Sequence, residues 1–443
     1  MISESTSNLT FKKILIFWLP LVGTWLMMAI EGPYLSAIIA RMSEPKINLA
    51  AYGVAFSFAL LIEAPIIMML SASTALVDDI EKYKKLRNFT YFLNAALTFI
   101  MIIFLIPQVF YFIAMDLINL PLRVAELTHI ATFLMLPWPA AIGYRRFHQG
   151  VLIKMNYTRR VAYGTVIRLV TMSLLAITLY LLSSLDGVIV GALSLTTGVI
   201  AEALAVKIMS VEAIKKLKGS SSNHENRSEL SYKNILSFYY PLALTSILAL
   251  GVHPIVTFFM GQSRFPLESL AVLPVINALV FIFRSIGLSY QEVGIALIGR
   301  NMKNYRVLKN FTILGGLLVM LLLGIIAFTP LSNIWFVQIS GLSLSLAAFA
   351  DLPLKIIWII PGLSFLLSFQ RSVLVFVKRT RYITVATAIE VCSIIIVLII
   401  AVKYLLLIGA VAAMIALVIG RLSANIYLFA SFKNSIKKYQ SDE

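Results

Sequence analysis

The chain has 443 residues, of which 60% are hydrophobic and 13% are charged. Soluble domains carry about 25% charged residues, so this composition excludes an ordinary soluble enzyme and also a disordered chain. The formal net charge of +17 could indicate nucleic-acid binding, but the basic residues form short clusters between long apolar runs. One cysteine, Cys392, excludes an internal disulfide and Cys-based metal sites. We expect an integral membrane protein with no cofactor, no metal and no nucleic-acid partner.

Twelve apolar stretches are long enough to cross a bilayer as helices, which takes about 20 mostly apolar residues. They run near 14–39, 48–76, 89–114, 124–143, 161–183, 187–210, 234–260, 268–298, 311–336, 351–371, 383–402 and 408–430. A count of eleven or thirteen would require a long run such as 48–76 to be split or re-entrant. The first stretch is not a cleaved signal, because eleven more follow it. The sequence therefore predicts an all-α membrane protein with twelve transmembrane helices.

The distribution of Lys and Arg predicts the orientation, because cytoplasmic loops carry the excess. With the N-terminus inside, only five of the 37 basic residues fall on the outer side: Arg41, Lys46, Arg123, Arg264 and Lys403. The clusters on the inner side include Lys82, Lys84, Lys85, Arg87, Arg145, Arg146, Lys215, Lys216, Arg300 and Lys378. We predict that the protein lies in the cell (inner) membrane and that both of its termini are cytoplasmic.

The sequence repeats on either side of a polar segment at mid-chain. Residues 11–21 match residues 232–242, and Pro33 falls on Pro254 at the same offset of 221. Two halves of equal polarity are the parallel repeat of many secondary transporters. We therefore predict an N-terminal six-helix bundle, a cytoplasmic linker and a C-terminal six-helix bundle, related by a pseudo-two-fold axis. Their bounds are 1–217, 218–231 and 232–443.

Ionisable residues within spans are costly and are functional hypotheses by default. The repeat aligns Glu63 with Arg284, and Arg168 with Glu390 after a one-residue insertion. Equivalent positions thus carry opposite charges, and Glu63 and Arg284 could pair in one state and separate in another. The alternative is that each residue snorkels or pairs within its own bundle.

The first helix of each half contains a proline at the same level. Pro33 and Pro254 each remove a backbone hydrogen bond, which predicts two equivalent kinks. Glu31 lies beside the first kink and His253 beside the second. A buried glutamate can bind a proton or a cation, and histidine titrates near neutral pH. Both could instead belong to a solvated outer vestibule.

Further along, Lys355 lies near the outer end of the tenth predicted span, where it is either a weaker substrate contact or an interface anchor. No nucleotide-binding loop, nucleophile elbow or zinc-protease motif occurs in the chain. We therefore expect that the protein is not an enzyme, and that an ion gradient, the substrate gradient or a separate partner supplies the energy.

Three segments carry a resemblance to known proteins. They are Leu49-Ala50-Ala51-Tyr52-Gly53-Val54-Ala55-Phe56-Ser57 followed by Pro65, then Ser237-Phe238-Tyr239-Tyr240-Pro241-Leu242-Ala243-Leu244 with Pro254-Ile255-Val256, and His148-Gln149-Gly150-Val151-Leu152-Ile153-Lys154 with Tyr157. The chain resembles the progressive ankylosis protein family. The third segment, ending in Thr158-Arg159, also resembles the Gln-Gly and Thr-Arg pattern of multidrug and toxic compound extrusion (MATE) transporters.

Both groups belong to the multidrug/oligosaccharidyl-lipid/polysaccharide (MOP) exporter superfamily, and the resemblance implies its fold of two six-helix bundles around a cavity. The ankylosis branch implies export of small polyanions such as citrate, pyrophosphate or nucleotides. The chain departs from that branch at Glu63, where the family implies a small polar residue, and at His253, where it implies arginine. The resemblance therefore supports an expectation about the fold of this chain more strongly than one about its substrate.

Our leading interpretation is a monomeric secondary-active exporter of small polyanions that works by alternating access. Arg284, Glu63, His253 and Lys355 are the candidate cavity residues, and Glu31 or Glu63 would bind the coupling Na⁺ or H⁺. Arginine suits an anion because its planar fork matches carboxylate and phosphate. The alternatives are a MATE-type antiporter of cationic drugs, a lipid-linked sugar flippase and a non-transporting scaffold.

Overall fold

The computed structural model describes residues 9–155, 157–219, 230–299, 302–377, 379 and 381–441. Of the predicted linker 218–231, residues 220–229 lie outside the described part, as do Arg300 and Lys378 of the predicted inner-side clusters. The described residues form α-helices and short π-helical turns with no β-sheet, and one isolated bridge joins Arg264 to Ile408. The all-α fold class is therefore confirmed.

Twenty α-helices occur among the described residues. In the first half they are α1 (Phe11–Ala29), α2 (Glu31–Ile39), α3 (Pro45–Glu63), α4 (Met69–Leu76), α5 (Ile80–Phe104), α6 (Pro107–Tyr111), α7 (Leu122–Leu134), α8 (Trp138–Lys154), α9 (Thr158–Leu182) and α10 (Gly187–Gly219). In the second half they are α11 (Tyr232–Leu250), α12 (Val252–Gly261), α13 (Pro266–Leu288), α14 (Tyr290–Leu297), α15 (Tyr305–Phe328), α16 (Leu331–Asn333), α17 (Leu344–Ile357), α18 (Ile360–Phe376), α19 (Arg381–Ile399) and α20 (Gly409–Ser441).

Some helices begin where a side chain accepts from the first backbone amides, and others where a proline has no amide hydrogen to satisfy. Asp79 accepts a hydrogen bond from the Lys82 amide at 2.8 Å and so caps α5. Ser343 caps α17 in the same way through the Leu346 amide at 3.3 Å. Pro45 lies in the first turn of α3, where its missing amide hydrogen removes no helical bond.

Eleven helical segments of the described chain are long and apolar enough to cross a membrane. The difference from the predicted twelve is the stretch near 124–143, which is two helices rather than one. α7 has 13 residues, and α8 carries charged and polar residues up to Lys154. The predicted run 48–76 is also interrupted, because α3 ends at Glu63 just before Pro65.

Helix breaks recur at equivalent positions of the repeat. Ile30 separates α1 from α2, and 221 residues later Gly251 separates α11 from α12. Pro33 and Pro254 each lie three residues beyond the break. Likewise Ser289, which follows α13, is the counterpart of Met68, the residue before α4. Pro33 and Pro254 have no amide hydrogen to donate to the carbonyls one turn earlier, those of Ala29 and Leu250.

The chain divides into two compact units. Unit 1 comprises Met1–Tyr34, Val275–Leu405 and Ala410–Glu443, and unit 2 comprises Leu35–Pro274 and Leu406–Gly409. Compactness therefore groups α1 with helices of the second half, whereas the boundaries at 1–217 and 232–443 follow the sequence repeat. The division at the mid-chain linker stays a prediction.

An aromatic cluster explains why α1 belongs to unit 1. The Trp18 ring on α1 packs edge-on against Tyr290, Phe311 and Phe365, with centroid distances of 5.8, 5.5 and 5.4 Å. Its indole N–H also donates to Ser289 Oγ at 2.7 Å. Edge-to-face aromatic pairs stabilise by about 1 kcal/mol beyond their buried area, so these contacts hold α1 against α14, α15 and α18.

Each half contains one very close helix contact made by glycine and serine. In unit 2 a Cβ added to Gly150 on α8 would lie 1.7 Å from Ser73 Oγ on α4. In unit 1 a Cβ added to Gly294 on α14 would lie 2.1 Å from Ser372 Oγ on α18. The two contacts involve equivalent helices, but the glycine and the serine have exchanged places. Small residues permit such close backbone approach.

Candidate functional site

A buried carboxylate on α10 organises the polar residues of unit 2. Glu202 is fully buried and accepts a hydrogen bond and ion pair from Arg145 on α8. Gln149, one turn further along α8, donates to the same carboxylate at 3.0 Å. Arg168 on α9 lies 3.7 Å from it. Glu202 therefore ties three helices together, and its negative charge is shared by two guanidinium groups.

Glu63 at the end of α3 lies beside this group. It is 4% exposed and accepts a hydrogen bond from the Trp138 indole on α8. The face of the same indole lies 5.8 Å from the Arg168 guanidinium, within cation–π distance. Glu63 also interacts electrostatically with Arg145 and Arg146. We call Glu63, Trp138, Arg145, Arg146, Gln149, Arg168 and Glu202 the unit 2 cluster.

Arg146 is the least compensated member of the unit 2 cluster. Its Nε is buried without a hydrogen-bond partner, and no carboxylate of the described chain lies within ion-pair distance of it. Across the cluster, three guanidinium groups face two carboxylates, which leaves one formal positive charge.

Unit 1 holds a second polar group on four helices. Glu390 on α19 accepts hydrogen bonds from Arg421 on α20, with both contacts at 2.8 Å. Arg421 also donates to Ser364 on α18 at 3.4 Å. Both side chains of the ion pair are close to 90% buried. The pair joins the last two long helices, as Arg168 and Glu202 join α9 and α10.

Two further arginines lie in electrostatic range of this pair. Arg284 on α13 and Arg371 on α18 both interact with Arg421 and Glu390. Arg371 donates to Thr387 at 3.3 Å, and the Nε atoms of both Arg284 and Arg371 are buried without a hydrogen-bond partner. Neither has a carboxylate within ion-pair distance in the described chain. The unit 1 cluster, Arg284, Ser364, Arg371, Thr387, Glu390 and Arg421, thus has three guanidinium groups and one carboxylate.

Comparison with known families decides the identity of the chain. The family model described as progressive ankylosis protein (ANKH) matches residues 2–273, more than half of the sequence. The chain belongs to the ANKH family. No curated protein sequence matches this family member significantly.

Solved structures show the same fold at low sequence identity. A multidrug resistance MATE family transporter of the MOP superfamily has a TM-score of 0.72 and 15% identity, with 94% of this chain and 96% of that chain covered. The lipid II flippase MurJ has a TM-score of 0.70 and 15% identity, with coverage of 96% and 89%. A MATE transporter of Vibrio cholerae has a TM-score of 0.64 and 13% identity, with coverage of 96% and 97%. This ANKH family member therefore has the fold of MOP-superfamily membrane transporters and is a multi-pass membrane protein.

The structure distributes the candidate residues of the ANKH family member over both units. Glu63 and His253 lie in unit 2, whereas Glu31, Arg284 and Lys355 lie in unit 1. Glu31 starts α2 and is 7% exposed, while His253 in the first turn of α12 is half-buried. Their roles in coupling and substrate binding stay predictions.

Three of the charged residues singled out in the sequence have ionic neighbours within their own unit. Arg168 lies near Glu202, and Glu390 is paired with Arg421. Lys355 forms an ion pair with Asp351 at 2.6 Å on its own helix, with both side chains more than one-third exposed. The spacing of four residues between Asp351 and Lys355 is a signal that predicts this pair.

Sequence reasoning missed the centre of the unit 2 cluster. The sequence places Arg145 and Arg146 in a basic cluster on the inner side, which stays a prediction, and gives no sign that Arg145 is buried. In the structure α8 continues to Lys154 and Arg145 is 6% exposed. A hydropathy scan misses this because it ends a span at two adjacent arginines. Glu202 was detectable as the carboxylate within the apolar part of α10, one helix of 33 residues whose other carboxylate, Glu212, lies in its charged end.

Proposed function

We propose that the chain is a secondary-active exporter that moves small polyanions of the citrate, pyrophosphate or nucleotide class out of the cytoplasm. Transport would proceed by alternating access of two helical bundles. The observation that carries this proposal is the surplus of guanidinium over carboxylate in the unit 1 cluster, where Arg284, Arg371 and Arg421 face only Glu390.

The surplus favours an anion because unpaired charges at membrane depth are costly. A bound polyanion would supply the missing counter-charge for Arg284 and Arg371. Guanidinium groups bind carboxylate and phosphate through paired hydrogen bonds, which gives both affinity and orientation. Membership of the ANKH family agrees with this substrate class, as an implication of the family resemblance.

Export of cationic drugs, as in MATE transporters, is the alternative. It requires carboxylates that can face a cation, and the described chain offers Glu31 and Glu63 for that purpose. Glu63 already accepts a hydrogen bond from Trp138 and interacts with Arg145 and Arg146. This positive surrounding disfavours a drug cation at Glu63.

For an anion exporter we assign Glu31 or Glu63 to the coupling H⁺ or Na⁺. Both are less than 10% exposed, and because the arginines beside Glu63 disfavour a cation there, Glu31 is the preferred site for H⁺ or Na⁺. We further propose that the protein works as a monomer in the inner membrane, with both termini in the cytoplasm.

Uptake into proteoliposomes tests the proposal. The transported probes are radiolabelled citrate, radiolabelled pyrophosphate and a cationic dye, each with and without pH and sodium gradients. The variants are Arg284→Ala and, as a matched control, Arg123→Ala, which removes an exposed arginine paired with Glu44 and Asp186. We expect saturable anion uptake that Arg284→Ala reduces about tenfold or more and that Arg123→Ala leaves unchanged.

Dye uptake without anion flux would contradict the proposal. If Glu31→Gln or Glu63→Gln then abolished dye uptake, the drug antiporter would replace it. Flipping of a lipid-linked sugar without uptake of any soluble probe would instead indicate a flippase.

A further inference from the structure

A basic and aromatic cluster lies on unit 2 outside both polar clusters. The Arg87 guanidinium on α5 lies 5.9 Å from the Tyr83 ring and 5.8 Å from the Tyr91 ring. Tyr91 in turn stacks on Tyr144 of α8, with a centroid distance of 6.1 Å and an interplanar angle of 10°. Lys207 Nζ on α10 lies 5.9 Å from the centroid of the Tyr144 ring. Two cations thus flank one pair of stacked tyrosines.

His148, which contacts Tyr144 and Lys207, does not balance the positive charge of this cluster. His148 is fully buried, and its Nδ1 lies 2.9 Å from the Tyr144 carbonyl oxygen, which can only accept a hydrogen bond. Nδ1 therefore carries the proton, and Nε2 accepts from Lys207 Nζ at 3.3 Å. This arrangement holds His148 neutral and positions the Lys207 ammonium without balancing its charge.

No carboxylate balances Arg87 or Lys207 either. Within the described chain, neither forms an ion pair, and Arg87 donates a side-chain hydrogen bond to the neighbouring Asn88 at 3.2 Å. The Arg87 Nε is buried without a hydrogen-bond partner. The two positive charges interact with each other electrostatically. An anion that contacts both side chains would compensate the two positive charges.

An exposed apolar stripe runs along α10 through Lys207. Leu204, Ile208 and Val211 are 59%, 72% and 44% exposed and share one helix face with Lys207, at spacings of three and four residues. Tyr91 on α5 is 42% exposed as well. A cation pair bordered by exposed apolar side chains is complementary to an anionic lipid, which has a negatively charged headgroup next to hydrocarbon chains.

We propose that Arg87 and Lys207 bind the phosphate of an anionic phospholipid headgroup, whose acyl chains lie along Leu204, Ile208 and Val211. The site is on the surface of unit 2, where the first third of α5 lies beside the middle of α8 and α10, and it is independent of the transported substrate. Basic pockets between transmembrane helices bind anionic headgroups in this way. Arg87 supplies a planar fork and Lys207 a point charge, and each lies beside one of the stacked tyrosines.

Lipid retention by the purified full-length protein tests the proposal. Phosphatidylglycerol or phosphatidylcholine is added to delipidated protein in neutral detergent, and bound lipid is counted by native mass spectrometry. The test variant is Arg87→Gln with Lys207→Gln. The matched control is Lys84→Gln, which removes an exposed lysine on α5 paired with Glu81. We expect phosphatidylglycerol to bind more tightly than phosphatidylcholine, and the double variant to weaken it about thirtyfold, with no change in the control.

Several outcomes would overturn the proposal. Equal retention of phosphatidylglycerol by the double variant and the wild type would exclude these residues. Displacement of the lipid by an equal concentration of inorganic phosphate would make the site one for a soluble anion. Should the double variant fail to fold, a photoreactive phosphatidylglycerol can be crosslinked to the wild type. Crosslinks within 80–104 and 187–219 would support the site, and crosslinks confined to other segments would refute it.

Discussion

The polar clusters of the two units lie on equivalent helices but differ in how their charges are balanced. In unit 2 the two carboxylates are fully engaged, Glu202 by Arg145 and Gln149, and Glu63 by Trp138. In unit 1, among the described residues, one carboxylate, Glu390, pairs with Arg421, and two more arginines have no carboxylate within ion-pair distance. The charges of the unit 2 cluster are nearly balanced, whereas the unit 1 cluster has too few carboxylates for its arginines.

Equivalent positions of the repeat show where the two clusters differ. Glu63 corresponds to Arg284 at an offset of 221, and Gln149 corresponds to Arg371 at an offset of 222. The pair between the fifth and sixth helices of each half survives with its charges reversed: Arg168 with Glu202, and Glu390 with Arg421. A duplicated scaffold can thus keep an internal ion pair for stability while the neighbouring positions acquire the charge that a ligand requires.

Removing the shared carboxylate of unit 2 should have the largest effect. Glu202→Gln leaves the buried guanidinium groups of Arg145 and Arg168 uncompensated, and we expect it to lower the free energy of unfolding by about 3–5 kcal/mol. Glu212→Gln on the same helix breaks an exposed pair with Arg160, and should cost about 1 kcal/mol or less. Unfolding midpoints in detergent measure both. Equal midpoints for the two variants would show that Glu202 does not organise its cluster.

The next largest effect on stability is expected at Trp138, whose indole donates to Glu63. Trp138→Phe keeps most of the ring but leaves a buried carboxylate without its donor, so we expect a loss of about 1–3 kcal/mol in the free energy of unfolding. Trp358→Phe is the matched control, because Trp358 packs on Phe328 and the described residues offer its indole no carboxylate. Adding Glu63→Gln to Trp138→Phe should recover part of the loss. No recovery would mean that the loss comes from packing alone.

Removing a surplus arginine from unit 1 should act in the opposite direction. Arg284→Gln removes a positive charge that has no carboxylate partner, so in buffer without polyvalent anions we expect the free energy of unfolding to rise by about 1 kcal/mol. Arg146→Gln should give a smaller gain, because the unit 2 cluster has a smaller surplus. Citrate should stabilise the wild type and not Arg284→Gln. Destabilisation by Arg284→Gln in the absence of anions would refute the charge deficit.

The smallest effect is expected outside the spans, at Asp78. Burial raises the pKa of Asp78, but hydrogen bonds from Lys154 and Lys82, at 2.7 and 3.2 Å, outweigh it and hold the pKa below its ordinary value. The stabilisation is therefore present above the ordinary carboxyl pKa and is lost as the pH falls through the lower folded value.

Because the Asp78 side chain is about half exposed, its contribution should stay below about 1 kcal/mol. Asp78→Asn should remove this part of the acid-induced loss of stability, and Glu81→Gln at an exposed pair should not. Unfolding midpoints at neutral and acidic pH measure it. An unchanged pH profile in Asp78→Asn would contradict the shifted pKa.

Much of the fold follows from patterns within the sequence. Apolar runs locate the spans, and Pro33 and Pro254 lie beside the breaks at Ile30 and Gly251. The grouping of α1 with unit 1 was not predictable, because it depends on Trp18 contacting aromatic residues more than 270 positions away. Hydropathy describes how each segment meets the bilayer, and it contains no information about which helix packs on which.

The site was only partly predictable for a similar reason. Arg284 and Glu63 stand out as lone charges within apolar runs. By contrast, Arg145 lies within a group of basic and polar residues that resembles a loop, and only its buried partner Glu202 shows that it belongs to the interior of unit 2. A charge that is neutralised by a residue 57 positions later cannot be detected by a scan that reads one window at a time.

The exchanged glycine and serine contacts constrain how these two halves can be recombined. A chimera that replaced α4 with α14 alone would bring a second glycine against Gly150 and leave a gap. The reciprocal graft would place two serines where there is room for one hydroxyl. Each helix is therefore interchangeable only together with its partner, so any recombination of the two halves at that contact has to exchange a pair of helices rather than a single one.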